Sequence, residues 1–129
     1  VNPEVSSIRD ADRAIGILDS KSQKVKDGSE VLKYLIINRI NPKMVQSGEM
    51  LASEDILDIL NIPLIGKIPE DKGIIDASNQ GKPIILDANS AAGRAYVRIA
   101  ARLCGEEVPL ENVEEPENGL IQKIKEMFS

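Results

Sequence analysis

Two polar clusters carry the chemistry that this sequence offers. Asn38-Arg39 closes one short apolar run, and Pro69-Glu70-Asp71 closes another. An Asn side-chain amide presents donors and acceptors together, which suits the edge of a purine base. A Pro-Glu-Asp turn adds backbone carbonyls and carboxylates that can accept from an exocyclic amine. Ordinary solvated strand ends are the competing reading of both clusters. Nothing in the sequence supplies phosphate chemistry, since there is no G-x-x-x-x-G-K-[ST] loop and no Gly-rich strand-to-helix turn. The chain has no His and a single Cys, Cys104, which removes Ser-His and Cys-His nucleophilic pairs and leaves no thiolate or imidazole metal site within one chain. Glu54-Asp55 and Glu70-Asp71 read as helix starts and solvated turns rather than catalytic dyads. No catalytic residue and no metal ligand is assigned, and the chain by itself is not a complete catalyst.

The elements that must position these clusters follow from hydrophobic pattern and caps. Val1–Glu4 reads as the end of a strand or a loop. Ser6 and Ser7 offer N-caps, and Asp10, three residues after Ser7, makes a capping-box-like start to a helix with Ile8, Ala11, Ile15 and Leu18 inward. Val31–Ile37 is a nearly continuous apolar run, the mark of a strand buried on both faces of a parallel sheet. Asn41-Pro42 breaks the chain, and Ser53-Glu54-Asp55 caps a helix through Leu60. Pro63–Ile68 is a second buried strand. A turn or short helix follows over 73–80, then an extended crossing at Lys82–Asp87. Asn89 or Ser90 caps a helix over Ala91–Leu103 with Ala92, Ala95, Tyr96, Ile99, Ala100 and Leu103 inward, ended by Gly105. Cys104, among apolar neighbours, reads as a packing residue.

Helix, strand, helix, strand, helix is half of a doubly wound α/β layer, in which ligands bind beyond the carboxyl ends of the strands. Two parallel strands alone leave unpaired edges, so the sequence reads as part of a domain. The start at Val1-Asn2-Pro3, without Met, leads us to expect an upstream segment.

Of the 129 residues, 42% are hydrophobic but only 2% aromatic, so the core is aliphatic and no aromatic platform for single strands exists. A formal charge of −5 argues against specific nucleic-acid binding. The acidity is concentrated in Glu106, Glu107, Glu111, Glu114, Glu115 and Glu117, which mark residues 106–118 as an acidic linker after a body of 1–105. A lone Cys fits a reducing compartment.

Residues 119–129 form the last segment. Wound as a helix, Leu120, Ile121, Ile124, Met127 and Phe128 share one face, with Lys123 and Lys125 on its borders. Apolar residues flanked by lysines suit a helix that lies on a membrane surface, while packing on the domain core is the plainer alternative.

Taken in order, Asn2–Arg13, Ile37-Asn38-Arg39-Ile40-Asn41-Pro42, Ile68-Pro69-Glu70-Asp71, Ala77–Pro83 and the terminal amphipathic segment resemble the MinD branch of the ParA/MinD family of deviant Walker A ATPases, over its carboxyl-terminal half. The combination is specific, although the Asn-Arg and Pro-Glu-Asp pieces recur across ParA-type ATPases. The resemblance implies a doubly wound, SIMIBI-type P-loop NTPase domain that binds ATP with Mg²⁺ and dimerises when ATP is bound. It implies attachment to the inner face of the bacterial inner membrane, hence a cytoplasmic peripheral protein on anionic lipids. It further implies recruitment of the division inhibitor MinC, stimulation by MinE and a role in placing the division septum. By the same resemblance Asn38, Arg39, Pro69, Glu70 and Asp71 surround the adenine, Glu4, Ser6, Asp10 and Asp12 lie near the dimer and partner surface, and Leu120, Ile121, Lys123, Ile124, Lys125, Met127 and Phe128 contact the membrane. The family's phosphate loop and Mg²⁺ ligands have no counterpart in this sequence, so the chain alone is expected not to hydrolyse ATP. A non-enzymatic peripheral-membrane module and another ParA-like ATPase, such as a flagellar-number regulator, remain the alternatives.

Overall fold

The computed structural model describes residues 1–22, 28, 31–114 and 127–128. Along them run α1 (Val5–Ser22), β1 (Leu35–Ile40), α2 (Pro42–Gln46), α3 (Ser53–Leu60), β2 (Leu64–Pro69), α4 (Gly73–Asn79), a 3₁₀ turn (Ile84–Leu86) and α5 (Ala91–Leu103). β1 and β2 pair in parallel, as their short apolar runs require. On one face of this pair Ile8, Leu35, Ile37, Ile40, Ile56, Leu60 and Ile62 form a buried cluster beneath α1 and α3. On the other, Ile65 and Ile68 pack against Ala92, Ala95 and Ile99 of α5. Helices on both faces of a parallel sheet are the doubly wound arrangement.

β1 differs from the expected strand. It begins at Leu35, leaving Val31, Leu32 and Tyr34 outside with 50%, 78% and 52% of their surface exposed, and it runs through Asn38-Arg39 to Ile40. Apolar content alone does not set strand limits; the buried trio Leu35, Ile37 and Ile40 does. The register slips between Ile37 and Ile40, a bulge that puts two residues three apart onto the same face. On the other edge of β1, the Val1 nitrogen donates to the Ile36 carbonyl at 2.8 Å and the Asn38 amide donates to the Val1 carbonyl at 2.7 Å.

The helices differ in their caps. α1 starts two residues before Ser7, with Ile8 N–H donating to the Glu4 carbonyl at 3.1 Å, and the Ser7 hydroxyl accepts instead from the Asn2 amide at 3.0 Å. Ile8 is buried and Ala11 and Ile15 pack beside it, but Leu18 is 46% exposed, since the cluster ends before it. Asn41-Pro42 does more than break the chain: Asn41 Oδ1 caps α2, with Pro42 in the first turn where its missing N–H costs nothing. α3 is capped by Ala52 without a side-chain bond, because Ser53 lies inside the helix and is buried. Residues expected to cross in extended form at 82–87 coil into the 3₁₀ turn. Ser90 does cap α5, its Oγ accepting from the Gly93 amide at 2.9 Å. Ala100 and Leu103 are exposed rather than inward, as the two-stranded sheet covers only the stripe through Ala92, Ala95 and Ile99. Cys104, at the end of α5, is exposed and free, not a packing residue.

Residues 106–114 lie against the body. Arg102 donates to the carbonyls of Val108 (2.9 Å), Pro109 (2.8 Å) and, on β2, Ile65 (2.8 Å). Arg98 pairs with Glu111 at 2.7 Å, and Glu114 reaches Lys67 of β2 at 3.4 Å. Val113 packs on the cluster beneath α3. The segment therefore passes from the α5 side, by way of the Lys67 side chain on β2, to the α3 side as a strap. Among the described residues no helix is long and apolar enough to cross a membrane.

Candidate functional site

The carboxyl ends of β1 and β2 bring the two polar clusters together. At the β1 bulge Arg39 adopts a left-handed backbone (φ 56°), and the Asn38 side-chain oxygen accepts from the Arg39 amide at 2.9 Å, a local bond that holds the unusual conformation. Ile40 pairs with Pro69, and the Glu70 amide donates to the Ile40 carbonyl at 2.9 Å, so the ladder continues one residue past β2. Glu70 Oε2 then accepts from Asn41 Nδ2 at 2.9 Å. Arg39 lies 3.8 Å from Glu70, an exposed pair that adds little stability. Asn41 thus joins the site, although the sequence reading used it only as a breaker; Asn before Pro, read as an N-cap, was the available signal.

Asp71 behaves differently from its neighbour. Its Oδ1 accepts from the Gly73 amide at 2.8 Å, and its Oδ2 accepts from the Ser90 hydroxyl at 2.5 Å and the Ala92 amide at 3.2 Å. The Ser90 hydrogen bond above all, then the two amides and the nearby Arg94 charge, hold its carboxyl below the usual carboxylate range against the opposing effect of burial. Of the five residues expected at the base, Asn38, Arg39, Pro69 and Glu70 meet at the strand ends, while the Asp71 side chain is committed to the starts of α4 and α5.

The remaining expected residues are more scattered. Glu4, Ser6, Asp10 and Asp12 are all exposed. Ser6 and Asp10 stand one turn apart on α1, with Asp12 on another flank. Of the terminal segment, Met127 and Phe128 are 81% and 87% exposed, while Leu120, Ile121, Lys123, Ile124 and Lys125 lie outside the described residues. A separate open hollow of about 480 Å³ lies under the strap, lined by Val45, Glu54, Lys67, Leu110, Glu111, Asn112 and Glu114, away from the strand ends. Among the described residues no group of three or more His, Cys, Asp or Glu side chains is placed to hold a metal ion.

Comparison with known proteins identifies the layer. The sequence is 50% identical over 124 residues to the septum site-determining protein MinD of Escherichia coli K12, covering 95% of this chain and 46% of that one. It is 52% identical over 131 residues to MinD of Helicobacter pylori, covering 100% of this chain and 47% of that one. The chain belongs to the MinD family. It matches the carboxyl-terminal half of MinD and spans about half the length of the curated relatives it matches. No family model matches it. MinD of Aquifex aeolicus superposes with a TM-score of 0.76 at 47% identity, over 87% of this chain and 44% of that one. MinD within the A. aeolicus MinC:MinD complex superposes at 0.74 and 49%, over 87% and 43%. MinD of Pyrococcus horikoshii, solved with Mg-ADP, superposes at 0.61 and 26%, over 80% and 38%. The two-strand layer with helices on both faces is thus part of the MinD P-loop NTPase fold.

Proposed function

We propose that this chain works as part of a MinD-type ATPase that places the bacterial division septum, supplying the adenine side of its nucleotide site and the segment that meets the membrane. The observation that carries this reading is the convergence of the Asn38-Arg39 and Pro69-Glu70 clusters at the ends of two adjacent parallel strands, with Arg39 3.8 Å from Glu70, in a sequence half identical to MinD. Asn38 offers an amide to the base edge, Pro69 and Glu70 form the opposite wall, and Arg39 balances the Glu70 charge. These groups fit a purine. They supply no cradle for phosphates, so the phosphate and Mg²⁺ contacts of an ATP-bound assembly fall to other residues. ATP supplies the energy-bearing phosphate bond when bound; this chain's residues orient the base.

The A. aeolicus relative is seen with MinC and the P. horikoshii relative with Mg-ADP, which supports MinC as a partner and ATP with Mg²⁺ as the ligand here. Homodimerisation with ATP, stimulation by MinE, and attachment to anionic lipids on the inner face of the inner membrane complete the proposal. Within it, residues 1–105 form the ATPase body, 106–118 the connection, whose first part (106–114) is the strap held on that body, and 119–129 the membrane helix, with Glu4, Ser6, Asp10 and Asp12 on the dimer and partner surface. The decisive test joins this chain to the phosphate-binding half of a MinD relative and measures ATP affinity. Asn38→Ala should weaken binding about tenfold, the worth of one hydrogen-bonding group, while leaving the fold intact by circular dichroism. Unchanged affinity would sink the adenine assignment.

A further inference from the structure

Glu70 and Asp71 are adjacent, yet their side chains serve opposite neighbours. Glu70 reaches back to Asn41 on the β1 side, whereas Asp71 collects Gly73 at the start of α4 and Ser90 and Ala92 at the start of α5. Ser90 is only 5% exposed, and its Oγ both donates to Asp71 and accepts from the Gly93 amide. Gly93 in turn has no room for a side chain: a Cβ there would lie 2.6 Å from the Ile84 carbonyl oxygen and 3.0 Å from that of Asp87. The first turn of α5 therefore sits directly on the 3₁₀ turn, and Asp71 is tied to that rigid junction by two donors, Ser90 and Ala92, with a third, Gly73, at the start of α4.

We propose that Asp71 is a positioning residue for the base: its carboxylate bolts the Pro69–Asp71 turn to the start of α5 and so sets how Pro69 and Glu70 stand relative to Asn38. This rests on the adenine reading above and refines one part of it, because the Asp71 carboxylate is already engaged by Gly73, Ser90 and Ala92. Discrimination between adenine and guanine depends on hydrogen-bonding groups held in place, since a misplaced or unpaired polar group is what rejects the wrong base. A turn released from α5 would still close β2 but would hold Glu70 only through Asn41 and the exposed Arg39 pair. Loosening the bolt should therefore erase base preference before it erases the fold.

The test labels the 129-residue chain with ¹⁵N, joins it to the phosphate-binding half of a MinD relative as above, and titrates the joined protein with AMP and separately with GMP. In the unsubstituted chain AMP should shift the amides of residues 38–41 and 69–70 at about tenfold lower concentration than GMP. Asp71→Ala should abolish that preference and weaken AMP binding about tenfold, while the amides of α1 and α3 stay in place. Asp71→Asn keeps an acceptor for Gly73 and should recover part of the preference, a rescue that general destabilisation would not produce. Ser90→Ala removes one donor and should give an intermediate loss. If Asp71→Ala does not fold, Ser90→Ala decides. An unchanged AMP-to-GMP ratio in the folded Asp71→Ala chain, or in Ser90→Ala where that chain does not fold, overturns the positioning role. No AMP response from the unsubstituted chain overturns the adenine reading itself.

Discussion

Ser53 donates its backbone amide, at 3.1 Å, and its side-chain hydroxyl to the same carboxylate oxygen of Glu114, a residue 61 positions further along the chain. Lys67 approaches that oxygen at 3.4 Å. The carboxylate sits at the start of α3, whose first amides lack partners within the helix and whose dipole favours negative charge. A glutamate from the strap thus does for α3 what its own N-cap residue, Ala52, cannot.

Glu114→Ala should accordingly destabilise the protein by about 1–3 kcal/mol, because Ser53 and the four-fifths-buried Lys67 both lose their acceptor. Glu114→Gln keeps one carbonyl oxygen for Ser53 and should cost less. Urea unfolding monitored by circular dichroism checks the order; equal stability of all three proteins would mean that the strap adds nothing.

Asp71 gives a pH dependence with a definite sign. Its folded-state pKa lies below the ordinary value of 3.8, so the ionised form is the better bonded one. The stability that it contributes is fully present above that value and is lost as pH falls through the lower, folded-state value. The stability difference between the unsubstituted chain and Asp71→Asn should therefore be constant at neutral pH and shrink below about pH 4. A difference that grows on acidification would contradict the assignment of donors to Asp71.

Two glycines should differ in what they tolerate. A Cβ on Gly66 of β2 would come within 2.2 Å of Ile99 Cγ1, a side-chain atom, whereas a Cβ on Gly93 would meet a backbone carbonyl oxygen at 2.6 Å. Overpacking of this kind costs about 1–3 kcal/mol and sometimes more. Gly66→Ala should be partly rescued by Ile99→Ala, which empties the space it needs. Gly93→Ala should be the more damaging single change and find no side-chain rescue. Thermal melts of the three variants decide, and rescue failing for Gly66→Ala would mean that the strand itself, not Ile99, resists the methyl group.

The exposed Phe128 invites the fourth measurement. If the terminal segment rests on lipid, Phe128→Glu should abolish sedimentation with anionic liposomes, each buried CH₂ being worth about 0.8 kcal/mol. Undiminished binding would return this segment to the plainer role of packing on the body.

The layer order, the parallel pair and the α5 cap were readable in the sequence because each rests on local signals: apolar runs of strand length, a Ser before a helix, a Gly after it. The pairing of the Asn38 and Glu70 clusters followed from the rule that strand ends converge in a parallel sheet. The β1 limits were not readable, since Val31 and Leu32 are as apolar as Leu35 and only the far side of the core tells them apart. Nor was the role of Asp71, whose partners Ser90 and Ala92 come from another element. The glutamates at 111 and 114 show the same limit: their composition reads as linker, while Arg98, Lys67 and Ser53, distant in sequence, make them part of the body.

The Arg102 guanidinium, spread over the carbonyls of Ile65, Val108 and Pro109, has a consequence for the order of events during synthesis. β2 and α5 can dock as soon as they leave the ribosome, but that guanidinium finds two of its three acceptors only once residues 108–109 have emerged. Translation at roughly 5–20 residues per second gives the half-finished layer an interval in which Lys67 lacks Glu114 and the Arg102 guanidinium holds only the Ile65 carbonyl. A nascent chain paused before residue 114 should therefore leave Ser53 and Lys67 without their shared acceptor, and the strap is the stitch that closes the layer.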